Sequence, residues 1–246
     1  KVTSVSNPAG TLPSSAQGVV TNAGYTMPYA IKVDLTNQVI TIFSASEPGV
    51  YNVIEKQFIC STGTSSDPTP TGVYSLPDTE RRAWRYFKTF DTYVRYAVHI
   101  KGNYFFHSLL YSEPDLDTMS TTSYRKLGTP ASHGCIRLQV ADAKWIYDNK
   151  YDIAGVTIYD SDDPGPMGKP SAPSIGGSAY PGWDPTDPDS DNPWNKPTDV
   201  APEPKPEPKP EPEPEPEPDP EPGEAPGTGS DTQPDPAPGG GNVGGE

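Results

Sequence analysis

From Pro202 to Pro222 every second residue is proline, and the residues between are Glu, Lys or Asp. Proline fixes its own φ, lacks an N–H and pushes the preceding residue toward extended geometry. Such a run can build neither a helix nor the interior of a sheet, so an extended polyproline II spacer is predicted there. At about 3.1 Å per residue its 21 residues reach roughly 65 Å. The bias is wider than that run. Of 33 prolines, 24 follow Ser161 and nine precede it. Charge divides at the same place. Residues 1–161 carry 14 Lys+Arg against 14 Asp+Glu, whereas 162–246 carry 4 against 19, so the whole net charge of -15 sits in the C-terminal part. Residues 162–246 are therefore expected to be one disordered, acidic, Pro/Glu-rich tail that does not pack on the domain, with Trp183 and Trp194 as the exceptions able to dock on the domain or a partner.

With the acidity assigned to the tail, no basic patch points to nucleic acid. No apolar run approaches the roughly 20 residues that span a bilayer, so no membrane span is expected in this chain. The chain opens at Lys1 with no signal-peptide pattern ahead of the domain, which leaves a removed leader or an excised piece as readings. Residues 1–24 are small and polar and read either as a flexible lead-in or as an ordered cap.

Residues 25–161 carry the fold. Tyr29, Ile31, Val33 and Leu35 alternate, Thr36-Asn37 supplies turn residues, and Val39 to Phe43 is a second β-rich run, which together predict a hairpin. Val53 to Cys60, Gly72 to Leu76, Tyr93 to Ile100, Tyr104 to His107 and Val156 to Tyr159 are further strand candidates, with a turn at Gly102-Asn103. Val140 to Asn149 is the best helix: Val140, Ala143, Ile146 and Tyr147 share a face, and Asp142 suits the first turn. The expected fold class is mostly β, a β-sandwich-like domain with one clear helix, and Cys135 is placed at the end of a strand just before that helix.

The densest chemical signal is Ser132-His133-Gly134-Cys135-Ile136-Arg137. A thiol beside an imidazole has a partner for its proton, and Gly134 permits the close backbone approach that aims N–H groups at an oxyanion. Of the three histidines, His99 lies mid-strand and reads as structural, while His107 ends a strand and is followed by Ser108. Cys60, in Phe58-Ile59-Cys60, reads as core; alternatively it bridges Cys135 in a disulfide. Trp84 and Tyr86 read as loop packing, or as a cleft wall beside Arg85. No His-x₃-His or Cys-x₂-Cys pair suggests a metal, and no glycine-rich phosphate loop suggests a nucleotide, so no cofactor is expected.

The stretch from about Tyr29 to Tyr159 resembles the L,D-transpeptidase catalytic domain, also called YkuD-like. The resemblance is carried by His107 and by the Ser132–Arg137 block. Upstream it is carried by Ile31-Lys32-Val33-Asp34, Ser61-Thr62-Gly63 and Thr69-Pro70-Thr71-Gly72. It covers about half the chain and none of the tail. One departure is the 24-residue spacer between His107 and Ser132, whose polar part, Tyr111 to Thr129, is expected to form a longer lid or loop beside the cleft. The resemblance implies that Cys135 attacks the bond between a diamino acid and a terminal D-alanine, and that an amine on a second stem peptide resolves the thioester. It implies that His107 is the general base, oriented by the Ser108 carbonyl, and that His133, Gly134 and Cys135 supply oxyanion N–H groups. Arg137 either clamps a substrate carboxylate or braces the site, and Ser132 either contacts substrate or brackets the turn. A monomer outside the cell, associated with the bacterial wall and acting on peptidoglycan stem peptides, is the corresponding setting. A carboxypeptidase using the same thiol and a non-catalytic wall-binding module are the alternatives.

Overall fold

The computed structural model describes residues 27–196 apart from Glu80 and Pro166. Their framework is two five-stranded sheets. In the first, β1 (Tyr29–Asp34) and β2 (Val39–Glu47) form the expected hairpin, in register from Tyr29↔Ser44 to Asp34↔Val39. Its turn is held by Asp34, whose Oδ1 accepts the N–H groups of Thr36 at 3.0 Å and Asn37 at 3.1 Å. β3 (Val50–Ile59) extends the sheet beyond β2, β10 (Ile153–Tyr159) runs parallel to β1, and β4 (Gly72–Tyr74) pairs with β10. The order is β3-β2-β1-β10-β4.

The second sheet has the order β5 (Arg82–Phe87), β6 (Thr92–Lys101), β7 (Tyr104–Ser108) and β9 (Ile136–Leu138), with β8 (Leu110–Tyr111) also on β6. Between the sheets, Ile31, Val33, Ile40, Ile42 and Phe58 from one meet Val98, Ile100, Phe106, Ile136 and Leu138 from the other. Helix α2 (Val140–Asp148) closes this core with Ala143 and Ile146, and its Trp145 meets Tyr29 edge-on at 5.1 Å. Tyr147, read from periodicity as part of that face, is only half-buried and packs on Tyr96. The far end of α2 is capped by Arg81, which donates to the Tyr147 carbonyl and lies over the Tyr147 ring. The domain is mostly β, as its alternating runs predicted.

Three expectations need correcting. Cys135 lies immediately before β9, at the start of a strand rather than the end of one. The segment Tyr111 to Thr129 is not an open loop. It bridges Tyr111 to Met119 and forms a short helix, α1 (Thr121–Arg125), capped by the Ser120 hydroxyl. Tyr111, Met119 and Tyr124 are buried in a second core with Leu109, Val140 and Ile175, and Leu127 packs against it. A few large apolar groups outweigh the polar average of the segment, because one buried aromatic removes roughly 150–250 Å² from water.

The third correction concerns the tail. Residues 162–196 pack on the domain. Ile175 and Trp194 join the second core, the Tyr124 hydroxyl donates to Pro173 O at 2.8 Å, and Met119 N–H donates to Gly182 O at 2.9 Å. Composition missed this because the segment orders itself with Asx turns. Asp184, Asp187 and Asn192 each accept the backbone N–H two residues on. Prolines between them lower the entropy lost on ordering. The lead-in 1–24 and the X-Pro run 202–222 lie outside the described residues.

Candidate active site

β7 and β9 are parallel neighbours, paired Phe106↔Ile136, His107↔Arg137 and Ser108↔Leu138. Side chains alternate along both strands. Phe106, Ile136 and Leu138 are fully buried in the core, which sends Phe105, His107 and Arg137 to the other face together with Cys135, one position before Ile136. Cys135 and His107 are therefore diagonal neighbours on one face of adjacent strands. The ring of Phe87 lies beside both Phe105 (5.7 Å) and His107 (5.5 Å) and walls this face. His99, half-buried on β6, is occupied elsewhere, bonding Gly102 O at 2.7 Å and Thr79 Oγ1 at 3.3 Å.

His107 Nδ1 lies 2.5 Å from Ser108 O. A carbonyl only accepts, so Nδ1 carries the proton and Nε2 keeps the lone pair. Burial holds the His107 pKa down to about 3, helped by Arg137 and Arg85 and opposed by the Ser108 hydrogen bond, so the imidazole is neutral. Burial pushes the Cys135 thiol up, while a hydrogen bond from the Phe105 main chain and the charges of Arg137 and Arg85 pull it down. The sulfur also contacts Asn103 O at 3.5 Å. The resting pair is a neutral thiol and a neutral imidazole rather than a thiolate–imidazolium pair.

The turn ahead of Cys135 is built from side-chain brackets. Ser132 Oγ donates to Cys135 O at 2.5 Å and accepts Gly134 N–H at 3.0 Å. Both interactions lie inside the turn, which Ser132 brackets. The same bond removes Gly134 N–H from the expected oxyanion donors. Gly134 itself has φ +102°, and a Cβ there would lie 2.3 Å from Cε1 of Tyr104. Thr69 ties the turn to the neighbouring loop: its hydroxyl accepts Gly63 N–H at 2.8 Å and donates to Gly134 O at 2.9 Å. Main-chain bonds exchanged between Ser61 and Arg137 secure the free edge of β9. The motif pieces Ser61–Gly63 and Thr69–Gly72 thus meet the cysteine turn directly.

Arg137 does one job visibly, donating from Nη1 to Ala131 O at 2.8 Å, while its buried Nε has no hydrogen-bond partner. His133 is exposed, its ring stacked on Phe90 at 4.5 Å and 21°. Arg85 lies over the rings of Phe105 (4.3 Å) and Phe87 (5.3 Å). Phe87, Phe90 and Phe105 were not singled out from sequence, since isolated aromatics in β-rich runs carry no signal of their own. Cys60 is buried in the core and both cysteines are free thiols, so the alternative Cys60–Cys135 bridge is not formed. Trp84 stands on β5 with its ring against Tyr111. Among the described residues no three His, Cys, Asp or Glu side chains are grouped to hold a metal.

Residues 28–158 match the family described as YkuD, L,D-transpeptidase catalytic domain. YciB of Bacillus subtilis (strain 168), whose name assigns it provisionally to the L,D-transpeptidases, is 39% identical over 97 residues. That match covers 39% of this chain and 48% of the relative, so it spans about half of that protein. Among solved structures, a fused Zn-dependent amidase/peptidase/peptidoglycan-binding domain-containing protein from Clostridium acetobutylicum ATCC 824 is 31% identical. That alignment covers 54% of this chain and 52% of the other, with a TM-score of 0.39. An L,D-transpeptidase from Mycobacterium smegmatis is 19% identical over 54% of this chain and 58% of its own, with a TM-score of 0.40.

Proposed function

The chain belongs to the family of L,D-transpeptidase catalytic domains, and from that premise we propose that it is a peptidoglycan L,D-transpeptidase whose nucleophile is Cys135. The observation that carries the proposal is the diagonal placement of Cys135 and His107 on one face of β7 and β9, with the His107 tautomer fixed by Ser108 O. A neutral imidazole with Nε2 unprotonated is the form that accepts a proton from a thiol.

In this reading a tetrapeptide stem binds with its terminal D-alanine beside Arg137, whose guanidinium suits a carboxylate. The Cys135 sulfur bonds to the carbonyl carbon of the preceding diamino acid as its proton passes to His107 Nε2. The main-chain N–H groups of His133 and Cys135 stabilise the oxyanion, Gly134 N–H being engaged by Ser132. The carbon–nitrogen bond breaks, His107 returns the proton to the departing amine, and D-alanine leaves a thioester. An amine from a second stem then attacks the thioester carbonyl as His107 Nε2 takes its proton, the carbon–sulfur bond breaks, and His107 passes that proton to the sulfur, which regenerates the thiol and leaves a new amide cross-link. Water in place of that amine gives the carboxypeptidase. The catalytic unit extends over residues 25–161 and, from its packing, onward to residue 196. Such an enzyme works outside the cell at the wall, and no described helix is long and apolar enough to cross a membrane.

Mass spectrometry of the protein incubated with a purified tetrapeptide stem tests the proposal. The expected species is an acyl adduct on Cys135 with release of D-alanine, followed by a cross-linked dimer when acceptor stem is added. A protein that stays unmodified at Cys135, or an adduct on another residue, overturns it. A trimmed monomer without dimer selects the carboxypeptidase.

A further inference from the structure

The family match ends at residue 158, yet the ordered chain continues as a strap to residue 196. Two of its carboxylates are buried in the domain: Asp184 is 0% exposed and Asp187 is 1% exposed. Asp184 Oδ2 accepts Val140 N–H at 3.0 Å, and Thr186 Oγ1 accepts Ala141 N–H at 3.2 Å. These are orphan donors of the first turn of α2, whose own N-cap residue, Gln139, makes no side-chain cap bond. The strap is braced for this: Asn192 Nδ2 donates to the carbonyls of Asp184 and Asp187, each at 2.9 Å.

Asp187 reaches the other way, into a buried ion pair with Arg95 of β6. Arg95 is placed at an interruption of that strand. Its neighbour Tyr96 has φ +52°, a left-handed conformation that is strained in a bulky residue and persists only where its surroundings impose it. Here β6 passes from pairing with β7 to pairing with β8. The Arg95 guanidinium lies over the rings of Trp84 (5.3 Å) and Tyr96 (4.9 Å) and donates to Tyr96 Oη at 3.1 Å. At the interruption, Arg95 N–H donates to Ser108 Oγ at 2.8 Å, and that hydroxyl donates to Leu109 O at 2.8 Å. Ser108 O in turn accepts Nδ1–H of His107.

We propose that Asp187 and Arg95 are positioning residues for His107, acting through the Tyr96 interruption and Ser108, so that the strap beyond the family domain is part of this enzyme's catalytic apparatus. The inference rests on the reading of His107 as general base. Removing the ion pair frees the Arg95 side chain, lets the Tyr96 backbone relax, and releases the Ser108 peptide that sets the tilt and tautomer of the His107 ring. Substrate contacts of Cys135 and Arg137 are untouched, so the effect falls on the chemical step. A small displacement of a base is costly there, because proton transfer requires hydrogen-bond reach.

The test uses the full chain. Neutralising one partner alone leaves a buried charge unpaired, so the double variant Arg95→Gln/Asp187→Asn is the principal one. The expected result is a folded protein whose maximal rate of Cys135 acylation by a tetrapeptide stem is about ten-fold lower, with the half-saturating stem concentration changed less than about two-fold. Imidazole ¹⁵N resonances should show His107 fixed as the Nδ1–H tautomer in the wild type and as a mixture of tautomers in the variant. Asp191→Asn, at an exposed strap carboxylate, should change neither readout. If the double variant melts below the assay temperature, Arg95→Lys carries the same comparison, keeping the charge but losing the planar stack on Trp84 and Tyr96. A variant that melts earlier but acylates at the wild-type rate with unchanged His107 resonances makes the strap purely structural and overturns the proposal. A wild type that forms no acyl-enzyme sinks the proposed function instead, and the resonances still decide whether the strap sets the ring.

Discussion

His107 and Arg137 stand directly opposite each other in the parallel ladder of β7 and β9. Desolvation opposes protonation of the buried imidazole, and the guanidinium held across from it opposes it further, so His107 stays neutral down to a pKa of about 3. Burial moves the Cys135 thiol the other way, upward, which also favours its neutral form. The first prediction is therefore a pH profile. Stem acylation should show no acid limb from the base between about pH 5 and 7, because a lowered histidine pKa leaves the base active below its usual midpoint of about 6.5. Iodoacetamide alkylation of Cys135 should climb toward alkaline pH. A plateau in alkylation with a midpoint near about pH 6 would identify a thiolate–imidazolium pair and contradict the neutral resting state.

The second prediction concerns Gly134. Its φ of +102° and the 2.3 Å approach of a Cβ to the Tyr104 ring combine two penalties at one position. Gly134→Ala should cost about 1–3 kcal/mol of stability and lower acylation about 100-fold by displacing the Cys135 turn. Gly102→Ala is the comparison: φ is +54° there too, but a Cβ meets nothing within 4 Å. It should lose stability through strain alone and keep its acylation rate. Denaturant melts with acylation kinetics separate the two, and a fully active Gly134→Ala would remove the steric argument.

Much of this site was legible because its signals are local. The Ser132–Arg137 block and His107 were read from residue types, and the hairpin of β1 and β2 from alternation. Bonds that join distant segments left no such trace. Nothing in sequence pairs Thr69 with Gly134, or tells that Ser132 Oγ takes up Gly134 N–H and narrows the oxyanion donors. β9 went unread because three residues give too short a pattern, and β6 defied simple alternation because Tyr96 turns the strand over. Composition misled at residues 162–196. There the carboxylates that argued for solvation are the ones that cap α2 and pair with Arg95.

The third prediction separates the cysteines. Cys60 is fully buried in the inter-sheet core, where desolvation raises its thiol pKa strongly, so it is unreactive at neutral pH. One thiol, Cys135, should label in the native protein and two after denaturation. Cys60→Ala should lose about 1–2 kcal/mol of stability and keep acylation, whereas Cys135→Ala should fold and form no adduct. Native labelling of Cys60, or an adduct in Cys135→Ala, would reverse the assignment.

The fourth prediction lies at the start of α2. Asp142 belongs to the first helical turn, where the macrodipole favours an anion by about 0.3–1 kcal/mol. Burial and then the neighbouring Asp184 carboxylate act against it and raise its pKa from 3.8 to about 7, with Lys56 pulling weakly the other way. A tenfold change in proton affinity is worth about 1.4 kcal/mol, so the penalty for ionised Asp142 is on the order of 2–4 kcal/mol and outweighs the dipole. A raised carboxyl pKa means that the folded state holds the proton longer than the unfolded chain. Stability from this group is thus intact below about pH 4, falls as pH rises from about 4 to 7, and is fully lost above about 7. Asp142→Asn removes the ionisation and the repulsion of Asp184, which stays hydrogen-bonded to Val140 N–H. The variant should match the wild type near about pH 4 and be more stable at about pH 8, the gap opening between those values. Urea unfolding at roughly pH 4, 6 and 8 measures it. A gap that is constant with pH, or a variant less stable at the alkaline end, would mean that Asp142 is solvated at its helix end and does not feel Asp184.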